Sequence, residues 1–462
     1  MTHSEKISEL LEKGILISPE ELDNAKSNVE KSTQNMTSID NDAKVKIVYS
    51  YNKSPKKRVV TDFFKYFNLR FKALEKIIRM RPEMEGLVSI NKLKLKEERE
   101  NVSIIGMIKE KSFTKNKNII LVLEDLTGQT SVLIHKNNNE AYTVGKDLVL
   151  DEVIGVIGSA GKNIVFSNKV IFPDVPMNKE FKKAPIESYA VFLGDFHFGS
   201  KVFLQKEFDK FLAWINGTVG SEEQKEIANK VKYIFFAGDL VEGVGVYPGQ
   251  EEDLEIKDIK EQYAILSKSL SKIGSDKKLI ICPGNHDAGR IAEPQPPLYN
   301  DFAEALWQLP NAAIVSNPAM INIGSTEDFS GLDVLLYHGY SLIYYANNVE
   351  SIRNAGGQKR VDLIMKFLLQ KRHLAPTHES NMYIPDAEED PLVIDKIPDI
   401  FVTGHIHRAS ASEYRNITLL NTSCWSDITE DQEKRGLEPQ PGRIFVMNLQ
   451  TRKVKLINFY GR

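Results

Sequence analysis

The chain has 462 residues, a formal net charge of −3 and a hydrophobic fraction of 42%, which is too long for one ordinary domain and apolar enough for several cores. Near-neutral charge excludes recruitment of nucleic acid by a global field, so any such contact must come from local patches. The two cysteines, Cys282 and Cys424, form no CxxC pattern, which argues against a disulfide framework or a thiolate zinc site. The opening MTHSEKISEL has no apolar leader segment and no run approaches 18 apolar residues. The expectation is a protein of the reducing cytoplasm with no membrane contact.

Residues 1–26 read as a small helical module. Ser18-Pro19-Glu20-Glu21 supplies an N-cap, a first-turn proline and acidic first-turn residues, and Leu10, Leu11, Ile15 and Leu16 give an apolar face. Residues 27–58 are rich in Ser, Asn, Lys and Asp, broken by the patch Val45–Tyr51 and ending in the basic cluster Lys53-Ser-Pro-Lys-Lys-Arg58. They read as a flexible linker. Residues 59–85 hold an amphipathic helix with an apolar stripe at Val60, Phe64, Phe67, Phe71, Leu74 and Ile78, stopped by Pro82. Lys65, Arg70, Lys72, Lys76 and Arg79 are expected on its other, solvated sides.

From residue 86 to 176 the period changes to two. Val102–Ile108, Ile119–Leu123, Thr130–Ile134, Leu148–Ile157 and Ile164–Ile171 read as five strands separated by turn signals, with a short helix near Asn138–Tyr142. That outline is the one expected of an OB-fold barrel. From residue 177 to 462 apolar strands alternate with helices at Lys206–Trp214 and Ile256–Ile273, so functional residues are expected at strand ends. The segments Ile444–Leu449 and Val454–Phe459 read as closing strands. The fold class is thus multidomain α+β, a barrel followed by an α/β domain.

Five strand ends in this last region carry the chemistry. Val191-Phe-Leu-Gly-Asp-Phe-His197 ends with Asp195 and His197 two apart, so both side chains fall on one side of extended chain. Val231–Phe236 runs into Gly238-Asp239, and Lys278–Cys282 runs into Asn285-His286-Asp287. Asp333–Tyr337 precedes His338, and Ile400–Thr403 precedes His405 and His407. Each motif alone has an ordinary structural reading, since Gly-Asp and Gly-His are common turns and Asn-His-Asp can cap a helix. Together they offer carboxylate, amide and imidazole donors without thiolate, a set suited to Mn²⁺, Fe²⁺ or Zn²⁺.

The ordered set Asp-x-His, Gly-Asp, Gly-Asn-His-Asp, His, Gly-His-x-His resembles the calcineurin-like metallophosphoesterase superfamily from about Ser188 onward. The resemblance implies an α/β sandwich holding two metals, one on Asp195, His197, Asp239 and His407, the other on Asp239, Asn285, His338 and His405. It implies two-metal phosphoester hydrolysis in which a bridging hydroxide attacks phosphorus in line, with His286 on the leaving-group side and Asp287 orienting it by a hydrogen bond.

The flanking segments Gly243–Ile256, Ala292–Pro297, Met382–Asp386 and Asp390–Ile394 resemble the small subunit of archaeal family D DNA polymerases. That likeness implies a 3′→5′ proofreading exonuclease acting on DNA 3′ ends in a replicative complex. It implies Mn²⁺ as cofactor, with Fe²⁺, Zn²⁺ or Mg²⁺ as alternatives. It also implies a large polymerising subunit as partner, while residues 1–85, which match that family only loosely, are read as a helical recruitment or tethering module for a partner such as a sliding clamp or primase. A non-catalytic scaffold and a stand-alone metallophosphatase are the competing readings. His373 and His378 match no ligand position and are expected at the surface.

Overall fold

The computed structural model describes residues 43–461 except 429–432, 434, 435 and 437. The helical module expected over 1–26 lies outside the described residues. Val45–Arg462 forms one compact unit. Among the described residues no helix is long and apolar enough to cross a membrane.

The first strand, β1 (Val45–Ser50), corrects the expected linker over 27–58. It pairs antiparallel with residues 319–323, Val45 opposite Ile323. Its partner lies far along the chain, so only a short apolar patch marked it locally. The basic cluster after it is partly neutralised, because Lys53 Nζ sits 3.0 Å from Asp386 and 3.1 Å from Glu388 and Glu389.

The expected helix runs from Val60 to Arg79 and is capped by the Asp62 carboxylate, which accepts from Val59 N at 3.0 Å. Its phase differs from the expected stripe. Val60 and Phe64 are 80% and 74% exposed, while Tyr66 and Arg70 are buried beside Phe71, Leu74 and Ile78. Two surfaces pull on this helix. Phe71, Leu74 and Ile78 pack on Ile105, Met107, Val153 and Ile171, each such burial contributing roughly 1.5–3 kcal/mol. On the other side Arg70 Nε reaches Asp390 Oδ2 at 2.7 Å and Tyr66 OH reaches Asp390 Oδ1 at 2.7 Å.

A closed five-strand barrel follows: β2 (Asn101–Phe113), β3 (Ile119–Asp125), β4 (Gly128–Ile134), β5 (Val153–Gly161) and β6 (Ile164–Ile171), in the order β2-β3-β4-β6-β5. The alternation of Ile119, Leu121 and Leu123 fills its interior with Ile104, Val132 and Val156. The helix Asn139–Lys146 between β4 and β5 starts where Asn138 Oδ1 accepts from Ala141 N at 3.2 Å. The fourth strand begins at Val153 rather than Leu148, after a loop in which Asp151 has φ 63°.

The remaining strands are β7 (Tyr189–Leu193), β8 (Val231–Ala237), β9 (Lys278–Cys282), β10 (Ala312–Ile314), β11 (Ala319–Ile323), β12 (Leu332–Leu336), β13 (Ile400–Thr403), β14 (Ser410–Tyr414), β15 (Ile417–Asn421), β16 (Arg443–Asn448) and β17 (Val454–Asn458). They form two six-stranded sheets, β10-β9-β8-β7-β16-β17 and β1-β11-β12-β13-β15-β14. The runs β7 to β10 and β12-β13-β15 are parallel. Both faces of their central strands are buried, which explains continuous apolar runs such as Val231–Ala237. Helices Gln205–Ile215 and Ile259–Leu270 cover the first sheet through Phe208, Phe211, Tyr263 and Leu266. Val361–Lys371 covers the second through Ile364 and Leu368. The strand ends are left to carry function.

Candidate metal centre

The C-terminal ends of β7, β8 and β9 meet those of β12 and β13, and the turns are stitched by backbone bonds. Asp195 N donates to Gly238 O at 2.9 Å, His197 N to Asp239 O at 3.1 Å, and Gly404 N to His338 O at 2.8 Å. Side chains lock them further. Asp239 Oδ1 accepts from His286 N at 2.8 Å, and Asp195 Oδ1 accepts from His405 N at 2.8 Å. Asp239 thereby keeps Oδ2 facing the histidines, 3.3 Å from His338 Nε2, while Asp195 Oδ2 accepts from Thr422 Oγ1 at 3.3 Å.

All seven candidate ligands converge. Two triads, Asp195-His197-His407 and Asp239-His338-His405, each place donor atoms within 4.8 Å of one another, and His197, Asp239 and His286 form a third. His197 Nε2 lies 3.0 Å from His407 Nε2. Two nitrogens ligating one ion at ~2.1 Å and roughly at right angles would stand about 3.0 Å apart. His338 Nδ1–H donates to Ala237 O at 2.8 Å, which turns its Nε2 lone pair toward Asn285 Oδ1 at 2.9 Å and Asp239 Oδ2 at 3.3 Å. Three acceptors facing one another call for a cation or a proton, and the donor set fits a borderline divalent ion.

A sequence model of the B-subunit family of DNA polymerases alpha and epsilon matches residues 190–412. The DNA polymerase II small subunit of Methanothermobacter thermautotrophicus is 38% identical over 88% of this chain and 81% of its own length. The chain belongs to the archaeal DNA polymerase II small-subunit family. The Archaeoglobus fulgidus small subunit is 39% identical over 87% of the chain and 78% of its own. The Pyrococcus furiosus small subunit is also 39% identical, but the chain spans only 64% of its length.

This small-subunit family member holds its centre under strain. Five of the seven candidate ligands have left-handed backbone: Asp195 (φ 52°), His197 (53°), Asp239 (47°), His405 (69°) and His407 (55°). Such conformations cost a non-glycine residue roughly 1–2 kcal/mol each and persist where function rewards them. Neighbouring glycines make the space. A Cβ on Gly284 would stand 2.3 Å from Asp239 Oδ1, and one on Gly404 2.6 Å from Asp195 Oδ2. Gly284→Ala is therefore expected to weaken the binding of any divalent ion such as Mn²⁺ at this candidate site by about 10–100-fold, the usual effect of disturbing a ligand's support. Calorimetric titration of the purified variant checks this, and unchanged affinity would contradict it.

Charge inside the centre is uneven. Burial raises Asp195 to about 7. Burial opposes a charged His338, but the Asp239 carboxylate outweighs it and raises the imidazole to about 10. His197 is likewise opposed by burial and raised to about 9 by Glu242. Burial, then the charge on His338, pushes His405 down to about 3. The carboxylates Asp239 and Glu242 thus favour positive charge beside them.

The role expected for Asp287 is corrected. Its carboxylate accepts from Gly284 N at 2.8 Å, Leu240 N at 3.2 Å and Tyr263 OH at 3.0 Å, so it ties the Asn285 turn to the Asp239 turn. His286 is oriented instead by the Glu242 backbone, its Nδ1–H donating to Glu242 O at 2.9 Å. Glu242 was not singled out from the sequence, yet its buried carboxylate also lies 3.0 Å from His197 Nδ1. The available signal was an acid between the apolar Val241 and Gly243, three residues after Asp239. His373 is corrected too: it is fully buried, with Nε2 2.9 Å from Asp390 Oδ2. His378 is exposed, as expected.

Proposed function

We propose that the chain is a metal-dependent 3′→5′ exodeoxyribonuclease serving a large polymerising subunit. On this reading the barrel is an OB-fold over residues 86–176, and the two sheets are a calcineurin-like sandwich over 177–462 joined by β1. The observation that carries it is the convergence of Asp239 Oδ2, Asn285 Oδ1 and His338 Nε2, three atoms that are all acceptors unless the imidazole takes a proton. Asp195, His197, Asp239 and His407 would hold one ion, and Asp239, Asn285, His338 and His405 the other. Mn²⁺ is the proposed occupant, with Fe²⁺, Zn²⁺ or Mg²⁺ as alternatives. Such paired ions supply Lewis acidity that offsets charge building on a phosphate and make hydroxide cheaper to form.

The chain's own residues do the rest. Glu242 O holds His286 Nδ1–H at 2.9 Å, leaving Nε2 on the groove side to protonate the departing 3′ oxygen in its imidazolium form. Asp287 and Tyr263 fix the turn that presents Asn285 and His286, and the Glu242 carboxylate fixes the His197 ring. The experiment is incubation of the full chain with 5′-labelled single-stranded DNA and Mn²⁺, beside His286→Ala. Progressive shortening from the 3′ end is expected, slowed about 10²–10⁴-fold in the variant. Absence of nucleotide release, with and without the large subunit, would overturn the exonuclease reading and favour a scaffold.

A further inference from the structure

The candidate centre lies at the floor of an open groove of about 1350 Å³, and the groove walls carry opposite charge. One wall presents Glu252 and Asp253 beside Tyr247 and Lys201, and the other presents Arg353, Lys359 and Arg408 with Glu438. We propose that the basic wall binds the phosphodiester backbone of one DNA strand, with Lys359 and Arg408 gripping a phosphate between them. This rests on the phosphoesterase reading of the centre.

Three observations carry the assignment. Arg408 directly follows His407, so the turn that fixes the candidate ligand also fixes this cation at the groove. Lys359 and Arg408 converge on a single carboxylate, Glu438, at 2.8 and 3.8 Å. That carboxylate is 61% exposed, and ion pairs so exposed contribute only about 0–1 kcal/mol. A phosphate, which takes charge-assisted bonds from both cations, can displace it. Glu438 thus occupies the place of a substrate phosphate. Size points the same way: the groove exceeds the roughly 300–1,000 Å³ that encloses one small ligand, so it suits several linked nucleotides. Gly356 and Gly357 line the same wall without side chains, leaving room for a strand beside them.

The test is fluorescence anisotropy of the full chain with a labelled single-stranded oligonucleotide in EDTA, so the wall is read whether or not the strand is cut. Lys359→Ala and Arg408→Ala are each expected to raise Kd about fivefold near 0.1 M salt. Each should also reduce the slope of log Kd against log salt by about 0.7, one phosphate contact's worth. Glu438→Gln is expected to lower Kd. Unchanged Kd and slope in both cation variants, or weaker binding by Glu438→Gln, would overturn the assignment. Hydrolysis of bis(p-nitrophenyl) phosphate, a diester too small to reach the wall, is measured in parallel. It should proceed at the wild-type kcat/KM in both variants, and a parallel fall would also overturn the assignment. Failure of the wild type on that substrate strikes the phosphoesterase reading, while the anisotropy series still decides the wall.

Discussion

Replacing Asp239 with Asn is expected to lower the rate of nucleotide release by on the order of 10³-fold or more, a loss of about 4 kcal/mol of transition-state stabilisation. The substitution is nearly isosteric. The amide oxygen of Asn can still accept from His286 N, which Asp239 Oδ1 now does at 2.8 Å, so the turn keeps its support. What is lost is the negative charge facing His338 Nε2 at 3.3 Å and His197 Nε2 at 3.8 Å. That charge holds the two halves of the site together electrostatically, and it belongs to both proposed ion positions. Single-turnover assays on 5′-labelled DNA measure the effect, with a thermal melt to show that the fold survives. A variant retaining more than a tenth of wild-type activity would mean that Asp239 does not join the two positions.

The largest expected effect on stability lies well away from that site. Asp390 is buried and accepts from Arg70 Nε at 2.7 Å, Tyr66 OH at 2.7 Å and Leu392 N at 3.0 Å, with His373 Nε2 at 2.9 Å. Asp390→Ala would strand a buried guanidinium whose remaining partners are Pro376 O at 2.8 Å and Tyr66 OH at 3.4 Å. Breaking one side of a buried pair costs roughly 3–5 kcal/mol, so urea unfolding should shift by that amount. The helix Val60–Arg79 should loosen on the sheet unit first, where ring contacts to Tyr383 would remain, while its barrel face stays packed.

The same cluster gives a pH signature with a definite sign. Burial works against the Asp390 carboxylate, but Arg70 and His373 hold it well below the ordinary carboxylate range. Burial, with Arg70 adding to it, lowers His373 to about 4. Both groups thus bind a proton less readily in the folded state than in the unfolded chain. His373 contributes stability that is complete above its unfolded value near ~6.5 and is lost as pH falls through that value toward about 4. Asp390 adds a further loss only below about pH 4. The melting temperature of wild type minus that of His373→Asn should therefore shrink between pH 7 and pH 4.5. The difference matters because His338 and His197, raised to about 10 and about 9, contribute with the opposite sign. A difference that stays constant across the window would remove His373 from the account.

Much of this was legible in the chain because the candidate ligands sit in turns at the ends of apolar runs. Asp195 and His197, or His405 and His407, stood out by their two-residue spacing, although left-handed turns and not the extended chain expected bring them to the site. The glycines beside Asp239 and Asp195 mark where a Cβ would collide with a carboxylate. The barrel strand Ile119–Asp125 was legible through its alternation, whereas Val102–Ile108 is buried on both faces because the helix Val60–Arg79 covers its outer side.

What escaped was set by partners distant in sequence. The strand β1 exists because Ile323 and its neighbours pair with it. The burial of Arg70 and His373 depends on Asp390, and no local period announces a buried ion pair. The misreading of Asp287 has the same origin: Tyr263, on a helix of the first sheet's cover, draws the carboxylate away from His286. Helix phase was misjudged for a related reason, because Val60 and Phe64 extend the apolar stripe by spacing while the barrel and Asp390 claim the adjoining face.

The most direct test of the centre is anomalous diffraction from crystals of the full chain grown with Mn²⁺. Two peaks are expected roughly 3.5–4 Å apart, one against Asp195, His197 and His407, the other against Asn285, His338 and His405, with Asp239 between them. A single peak, or none while the side chains keep their positions, would contradict the two-ion account.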